Sequence, residues 1–145
     1  EIDRLLCDLC GRCAAACLSE AMQIVGRDMT VEEVAAEAEQ DRAFFEQSGG
    51  GVTLTGGEPL HQPMFLDELV DRLNGKGLSI VLDTSGYAPA SVFERIAGKV
   101  SLVLFDLKVM DDVRHRELTG VSNSCSQTSS PVLVSKARTT ESPPV

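Results

Sequence analysis

The sequence predicts an α/β protein in which parallel βα units follow a cysteine-rich loop, and three observations predict it. Four cysteines crowd into Cys7-Asp-Leu-Cys10-Gly-Arg-Cys13-Ala-Ala-Ala-Cys17. From Gly51 onward, short apolar runs alternate with segments of helical period at intervals of roughly 25 residues, the pattern of strands joined by crossover helices. An acidic residue ends or follows each run: Glu58, Asp83 and Asp106.

In chain order, a ferredoxin-like segment occupies residues 1–27, with Leu18 to Val25 as the short turn trailing the cysteines. Thr30-Val-Glu-Glu33 then reads as a capping box. Val31, Val34, Ala35, Ala38 and Phe45 recur at helical spacing, which predicts one helix ending near Gln47. The stretch Ser48-Gly-Gly-Gly-Val-Thr-Leu-Thr-Gly-Gly-Glu-Pro59 delivers a brief strand, Val52 to Thr55, into a loop without side-chain bulk. Gly56-Gly57 lets main chain approach a ligand, and Pro59 pushes Glu58 toward extended geometry. A bland strand-to-helix turn also favours Gly and Pro.

A helix from Pro63 to Asn74 follows, with Phe65, Leu66, Leu69, Val70 and Leu73 on its inner face and Gly75-Lys-Gly77 as its stop. The second strand is Leu78 to Leu82, the next helix Pro89 to Ala97, and the third strand Val100 to Phe105. That third run is nearly all apolar, as a strand buried on both faces should be. A last short helix covers Asp111 to Leu118. These units, about three, are fewer than a closed eight-stranded barrel of roughly 250 residues contains, so a partial (β/α) barrel over residues 28–123 is expected. Residues 124–145, rich in Ser, Thr and Pro, read as a disordered or aberrant tail that includes the lone Cys125.

The spacing Cys-x2-Cys-x2-Cys-x3-Cys is that of bacterial ferredoxins, whose tight loop lets thiolates converge on a 4Fe-4S cluster. Zinc competes for thiolates but usually takes two separated pairs. Leu18 stands where the ferredoxin pattern places proline. Disulfides are disfavoured, because four cysteines this close cannot form separate structural bridges.

In parallel βα architectures the carboxyl ends of the strands form the ligand-binding edge, so Glu58, Asp83 and Asp106 would face one mouth. Each alone could instead cap the following helix. Lys108, beside Asp106-Leu107, would be costly to bury unpaired and is expected to pair with Asp106, Asp83 or a ligand carboxylate, or else to snorkel to the surface. His61 and His115 lack a neighbouring imidazole in sequence and read as surface or supporting residues. No Walker loop, spaced dinucleotide fingerprint or hydrolase motif is present in the sequence.

Asp and Glu number 22 against 13 Lys and Arg, a formal charge of -9. That repels phosphate backbones and argues against nucleic-acid binding; docking to a basic electron donor is a weaker alternative to plain solvated surface. No uncharged apolar run approaches the roughly 18 residues needed to span a bilayer, and Glu1-Ile-Asp-Arg4 is no signal peptide, so no membrane and a cytoplasmic location are expected.

Taken together, Ser48 to Pro59, Asp83-Thr-Ser-Gly86, Asp106-Leu-Lys108 and Leu118-Thr-Gly-Val-Ser-Asn123 resemble the activating enzymes of glycyl-radical enzymes, a branch of the radical S-adenosylmethionine superfamily. The pyruvate formate-lyase activating type with inserted ferredoxin clusters is the nearest pattern. The resemblance runs from about Cys7 to Asn123. It implies a six-unit partial barrel, with Gly56, Gly57 and Glu58 at the amino-acid end of S-adenosylmethionine. It also implies contacts from Asp106, Leu107 and Lys108 to S-adenosylmethionine and the substrate peptide, with Asp83 on the same floor near a cation site. Cys7, Cys10 and Cys13 would hold one auxiliary 4Fe-4S cluster, and Cys17 would be the outlying ligand of another.

The implied activity is reductive cleavage of S-adenosylmethionine to place a glycyl radical on a partner enzyme, with electrons from a flavodoxin- or ferredoxin-type donor. The superfamily's catalytic Cys-x3-Cys-x2-Cys is not found: Cys13-x3-Cys17 is followed at the required position by Glu20, so no catalytic residue is assigned. The expectation is therefore a fragment, inactive and poorly folded by itself, whose tail arises from a shifted frame or a truncated gene. A ferredoxin-like electron-transfer or iron-sulfur binding module is the alternative from another class.

Overall fold

A computed structural model of the chain describes residues 7–8, 10–106 and 109–124. Leu107, Lys108, Cys125 and the rest of the 125–145 tail, all assigned roles or character above, lie outside the described residues. Two compact units part between Thr30 and Val31.

The first unit carries the cysteines. One short helix, α1 (Arg12–Ala15), follows Gly11. Gly11 has a φ of 74°, a left-handed backbone that favours glycine. A turn closed by the Glu20 amide donating to the Cys17 carbonyl follows the last cysteine.

The second unit opens with α2 (Val31–Glu39) and α3 (Arg42–Ser48), where the periodicity predicted a single helix. The break falls at Gln40-Asp41. The Gln40 amide drops to an i−3 bond with Glu37, and the Asp41 carbonyl starts the next helix by accepting from Phe44 and Phe45. Arg42 bridges the break to a distant element, donating to Glu39 Oε1 at 3.2 Å and to the Lys76 carbonyl at 2.8 Å. That second anchor is tertiary and leaves no periodic mark.

The βα repeat then runs β1 (Val52–Leu54), α4 (Pro63–Gly75), β2 (Ile80–Thr84), α5 (Ala90–Ala97), β3 (Leu102–Phe105) and α6 (Asp112–Thr119). Pro63 opens α4 as expected. Its stop is Gly77 at φ 74°, with the Leu78 amide reaching back to the Leu73 carbonyl. The strands form one parallel sheet in the order β1-β2-β3, with Leu54 beside Leu82 and Asp83 beside Leu104.

Partnered residues share a face. Leu54, Ile80, Leu82 and the half-buried Val103 and Phe105 face the helices, where Leu66, Leu69, Val70 and Leu73 of α4 and Phe93 and Ile96 of α5 complete the core. Phe93 and Phe105 meet edge to face at 5.9 Å. Val31 and Ala35 of α2 are buried in the same core, with Val34, Ala38 and Phe45 packed against it.

The opposite face corrects one expectation. Leu102 and Leu104 are 52% and 46% exposed, so β3 is half-buried on one face and exposed on the other, not buried on both. Both crossover helices lie on the same side of the sheet, and among the described residues none covers the face formed by Thr53, Val81, Asp83, Leu102 and Leu104. Among the described residues no helix is long and apolar enough to cross a membrane.

Candidate ligand site at the carboxyl edge of the sheet

The strand ends meet at one edge because the register places them there. Thr55, just past β1, donates to Asp83 Oδ2 at 3.4 Å, and the Asp106 amide just past β3 donates to the Thr84 carbonyl at 2.9 Å. Glu58, Asp83 and Asp106 therefore all lie at the carboxyl edge of the sheet, with the Glu58 carboxylate on the side of Thr84 and Asp83 on the opposite face. Asp83 is half-buried on the uncovered face and Asp106 is exposed.

Glu58 is extended, with φ −144° and ψ 110°, as a residue before proline should be. Its carboxylate is fully engaged by the protein. Oε1 accepts from Thr84 Oγ1 at 2.6 Å and the Leu60 amide at 3.0 Å; Oε2 accepts from the Ser85 amide at 3.0 Å and Ser85 Oγ at 2.5 Å. One end caps the turn Pro59–His61 and the other ties the loop after β1 to the loop after β2. Glu58 is thus a helix cap and a brace across 26 residues at once.

Thr84 completes the brace from a position the sequence reading left without a role. It is buried at 3% exposure, and its Oγ1 accepts from the Gly86 amide at 2.9 Å while donating to Glu58. A polar residue at the end of β2, in step with the inward Ile80 and Leu82, was the available signal. Gly86 is obligatory for a second reason: at φ 70°, a Cβ would stand 2.4 Å from Phe105 Cε2.

Gly56 and Gly57 behave differently. Both are exposed, neither has a positive φ, and a Cβ on either would meet no protein atom within 4 Å. The chain's own packing gives no reason for glycine at either position, so the loop presents open, bare backbone, which Glu58 ties to the loop after β2.

The cysteine loop stands in the other unit. Cys7, Cys10 and Cys13 are exposed, Cys17 is half-buried, and all four are free of disulfides. Arg12 Nε donates to Cys10 Sγ at 3.2 Å, and Ser19 Oγ lies 3.5 Å from Cys17 Sγ. Ser19 and then the Met22 backbone hold the Cys17 thiol below its ordinary value. Four accessible thiols are the donor set an iron-sulfur cluster takes, although among the described residues no three Cys, His, Asp or Glu side chains gather as a metal set. His61 is exposed, and His115 is half-buried on α6 with Nδ1 2.9 Å from the Val121 carbonyl.

The chain is 45% identical over 124 residues to the isethionate sulfite-lyase activating enzyme of Oleidesulfovibrio alaskensis, covering 85% of this chain and 40% of that one. It is 42% identical over 118 residues to the pyruvate formate-lyase 2-activating enzyme of Escherichia coli, covering 81% and 40%. A solved domain of pyruvate-formate lyase-activating enzyme from Bacteroides vulgatus is 34% identical, with a TM-score of 0.49 over 55% of this chain and 50% of that one. The chain thus spans about two fifths of the length of the curated relatives it matches. The sequence model of the radical SAM superfamily matches residues 5–127, which takes in the cysteine loop, all three strands and both crossover helices, and this chain belongs to that superfamily.

Proposed function

We propose that this chain is part of a glycyl-radical-enzyme activating enzyme and that its sheet edge holds S-adenosylmethionine. The observation that carries the reading is Gly56-Gly57, a bare and open stretch of backbone at the carboxyl edge of a parallel sheet, in a chain 45% identical to an activating enzyme. The amino-acid end of S-adenosylmethionine would lie along Gly56 and Gly57. Glu58 would keep the loop in place through Thr84 and Ser85, with Asp83 and Asp106 offering carboxylates at the same mouth and Leu107 and Lys108 completing it.

Cys7, Cys10 and Cys13 would hold an auxiliary 4Fe-4S cluster, with Cys17 serving another. In such enzymes reduced iron-sulfur clusters and S-adenosylmethionine together supply the radical that removes a hydrogen atom from a glycine of the partner, and the protein supplies position and a dry cavity. A flavodoxin- or ferredoxin-type protein would supply the electron. The relatives act on different enzymes by name, isethionate sulfite-lyase in one case and pyruvate formate-lyase 2 in the other; the sheet edge described here is the part such enzymes would share.

Calorimetric titration of the 145-residue chain with S-adenosylmethionine tests the reading. Binding should appear with the parent chain and vanish in Gly57→Val, whose side chain occupies open space and leaves the melting temperature unchanged. No binding by a folded parent chain, or equal binding by Gly57→Val, would refute it.

A further inference from the structure

Thr84 ends β2 on the face that carries Ile80 and Leu82, at 3% exposure and beside Phe105 in the sheet register. A β-branched residue suits that strand position, but a hydroxyl buried among apolar side chains is costly unless it finds partners. Here both of its functions are used. The Gly86 amide donates to Oγ1 at 2.9 Å, so the oxygen is an acceptor on that side. Its one proton is left for Glu58 Oε1, 2.6 Å away. The main chain of the same residue makes a third connection, its carbonyl accepting from the Asp106 amide at 2.9 Å.

Three strand ends thus meet in one residue. Glu58 belongs to the loop after β1, Gly86 to the loop after β2, and Asp106 stands just past β3. The Glu58 link is the one that reaches the glycines. Gly56 and Gly57 have no side chains with which to hold their place and the freest backbone of any residue, so their conformation is set from the two ends. Upstream is β1, with Leu54 paired to Leu82. Downstream is Glu58, which follows Gly57 directly. Ser85 also donates twice to the Glu58 carboxylate, but from a loop. Thr84 donates from the sheet, and the same hydroxyl anchors the Gly86 amide beyond Ser85, so it is the fixed point for both loops.

We propose that Thr84 is a positioning residue whose hydroxyl, acting through the Glu58 carboxylate, fixes the Gly56-Gly57 backbone in the conformation that binds the ligand. The proposal rests on the reading of this edge as the S-adenosylmethionine site. Thr84 is too deeply buried to touch a ligand there. A residue that only filled the core at this position would need no hydroxyl, and valine has the same shape.

The test uses the 15N-labelled 145-residue chain, with backbone relaxation at the Gly57 and Glu58 amides and calorimetric titration of S-adenosylmethionine at a temperature where every variant is folded by circular dichroism. In Thr84→Val the order parameters at those two amides should fall from about 0.85 to below about 0.6, while Ile80 to Leu82 stay rigid. The ligand should bind about tenfold more weakly or worse, the scale of one lost hydrogen bond to a charged group. Thr84→Ser keeps the hydroxyl and drops the methyl, so both amides should stay rigid and affinity should stay close to that of the parent chain. A role confined to packing predicts the reverse, because Thr84→Val keeps the side chain's shape whereas Thr84→Ser leaves a methyl-sized cavity.

Parent-like affinity in Thr84→Val, a loss in Thr84→Ser as large as in Thr84→Val, rigid amides in Thr84→Val, or loosening that extends to Ile80 to Leu82 would each overturn the proposal. Should Thr84→Val fail to fold, Thr84→Cys is set against Thr84→Ser. Both lack the methyl and a thiol is only a weak donor, so looser amides and weaker binding are expected in Thr84→Cys, and equality with Thr84→Ser overturns the proposal. If the parent chain binds no S-adenosylmethionine, the reading of the edge has failed, and the relaxation arm alone still decides whether the Thr84 hydroxyl holds the glycine loop.

Discussion

Truncating Glu58 to alanine separates a brace from a ligand contact. The substitution removes four hydrogen bonds at once. Ser85 is half-buried, so water can replace part of what its two donors lose. Thr84 and Leu60 are each only 3% exposed, and their donors would be left largely unmet. Two orphaned donors and two partly rehydrated ones amount to a loss of about 2–4 kcal/mol, since hydrogen bonds to a charged group are stronger than average but burying that group also costs. For a unit of this size that corresponds to a fall of roughly 10–20 °C in Tm.

Urea unfolding followed by circular dichroism measures the loss, and the midpoint should move without a change of slope. Glu58→Gln should fall between, because its Oε1 still serves Thr84 and Leu60 whereas its amide nitrogen confronts the Ser85 N–H. If Glu58→Ala loses less than about 1 kcal/mol yet abolishes S-adenosylmethionine binding, the reasoning is refuted and the carboxylate is a ligand group.

Gly86→Ala should destabilise the chain by about 2–4 kcal/mol in the same urea assay, because the added Cβ meets the Phe105 ring in a left-handed backbone. Asp112 is held down at about 2, first by the Ser122 hydroxyl, then by Arg116 and the Asn123 amide. Its native value lies below the unfolded one, so its contribution is full above about pH 4 and is lost as pH falls through about 2. The urea-midpoint gap between the parent chain and Asp112→Ala should accordingly narrow over that window. Anaerobic reconstitution of the parent chain with iron and sulfide should load iron that Cys10→Ser does not retain, read by iron quantification and visible absorbance; equal loading would remove the cysteine loop from consideration as a cluster site.

The local parts of this protein were legible in one dimension. α4 declared itself by Leu66, Leu69, Val70 and Leu73 at helical spacing between Pro63 and Gly77, and capping geometry within a few residues did the rest. The strands β1 and β2 were visible as short runs between glycine signals, although β2 begins at Ile80 rather than Leu78. The cysteine spacing is likewise a short-range feature of the sequence. The run from Val31 to Phe45 misled because Phe45 resumes the apolar period two turns after Ala38, across the polar Asp41 and Arg42, while the anchor of Arg42 on the Lys76 carbonyl is 34 residues away.

By itself the sequence determined which residues form parallel βα units, that their carboxyl ends carry Glu58, Asp83 and Asp106, and that Gly56-Gly57 leaves bare backbone among them. Only the tertiary structure decided what those residues do to one another. Leu102 and Leu104 are as apolar as Val103, and their exposure depends on α4 and α5 both landing on the other face. The direction of the Glu58 carboxylate depends on Thr84 and Ser85, and that of the Asn123 amide on Val109 and Met110. A hydrogen bond between residues 13 to 27 positions apart is set by where the folded backbone brings donor and acceptor, and spacing along the chain carries no record of it.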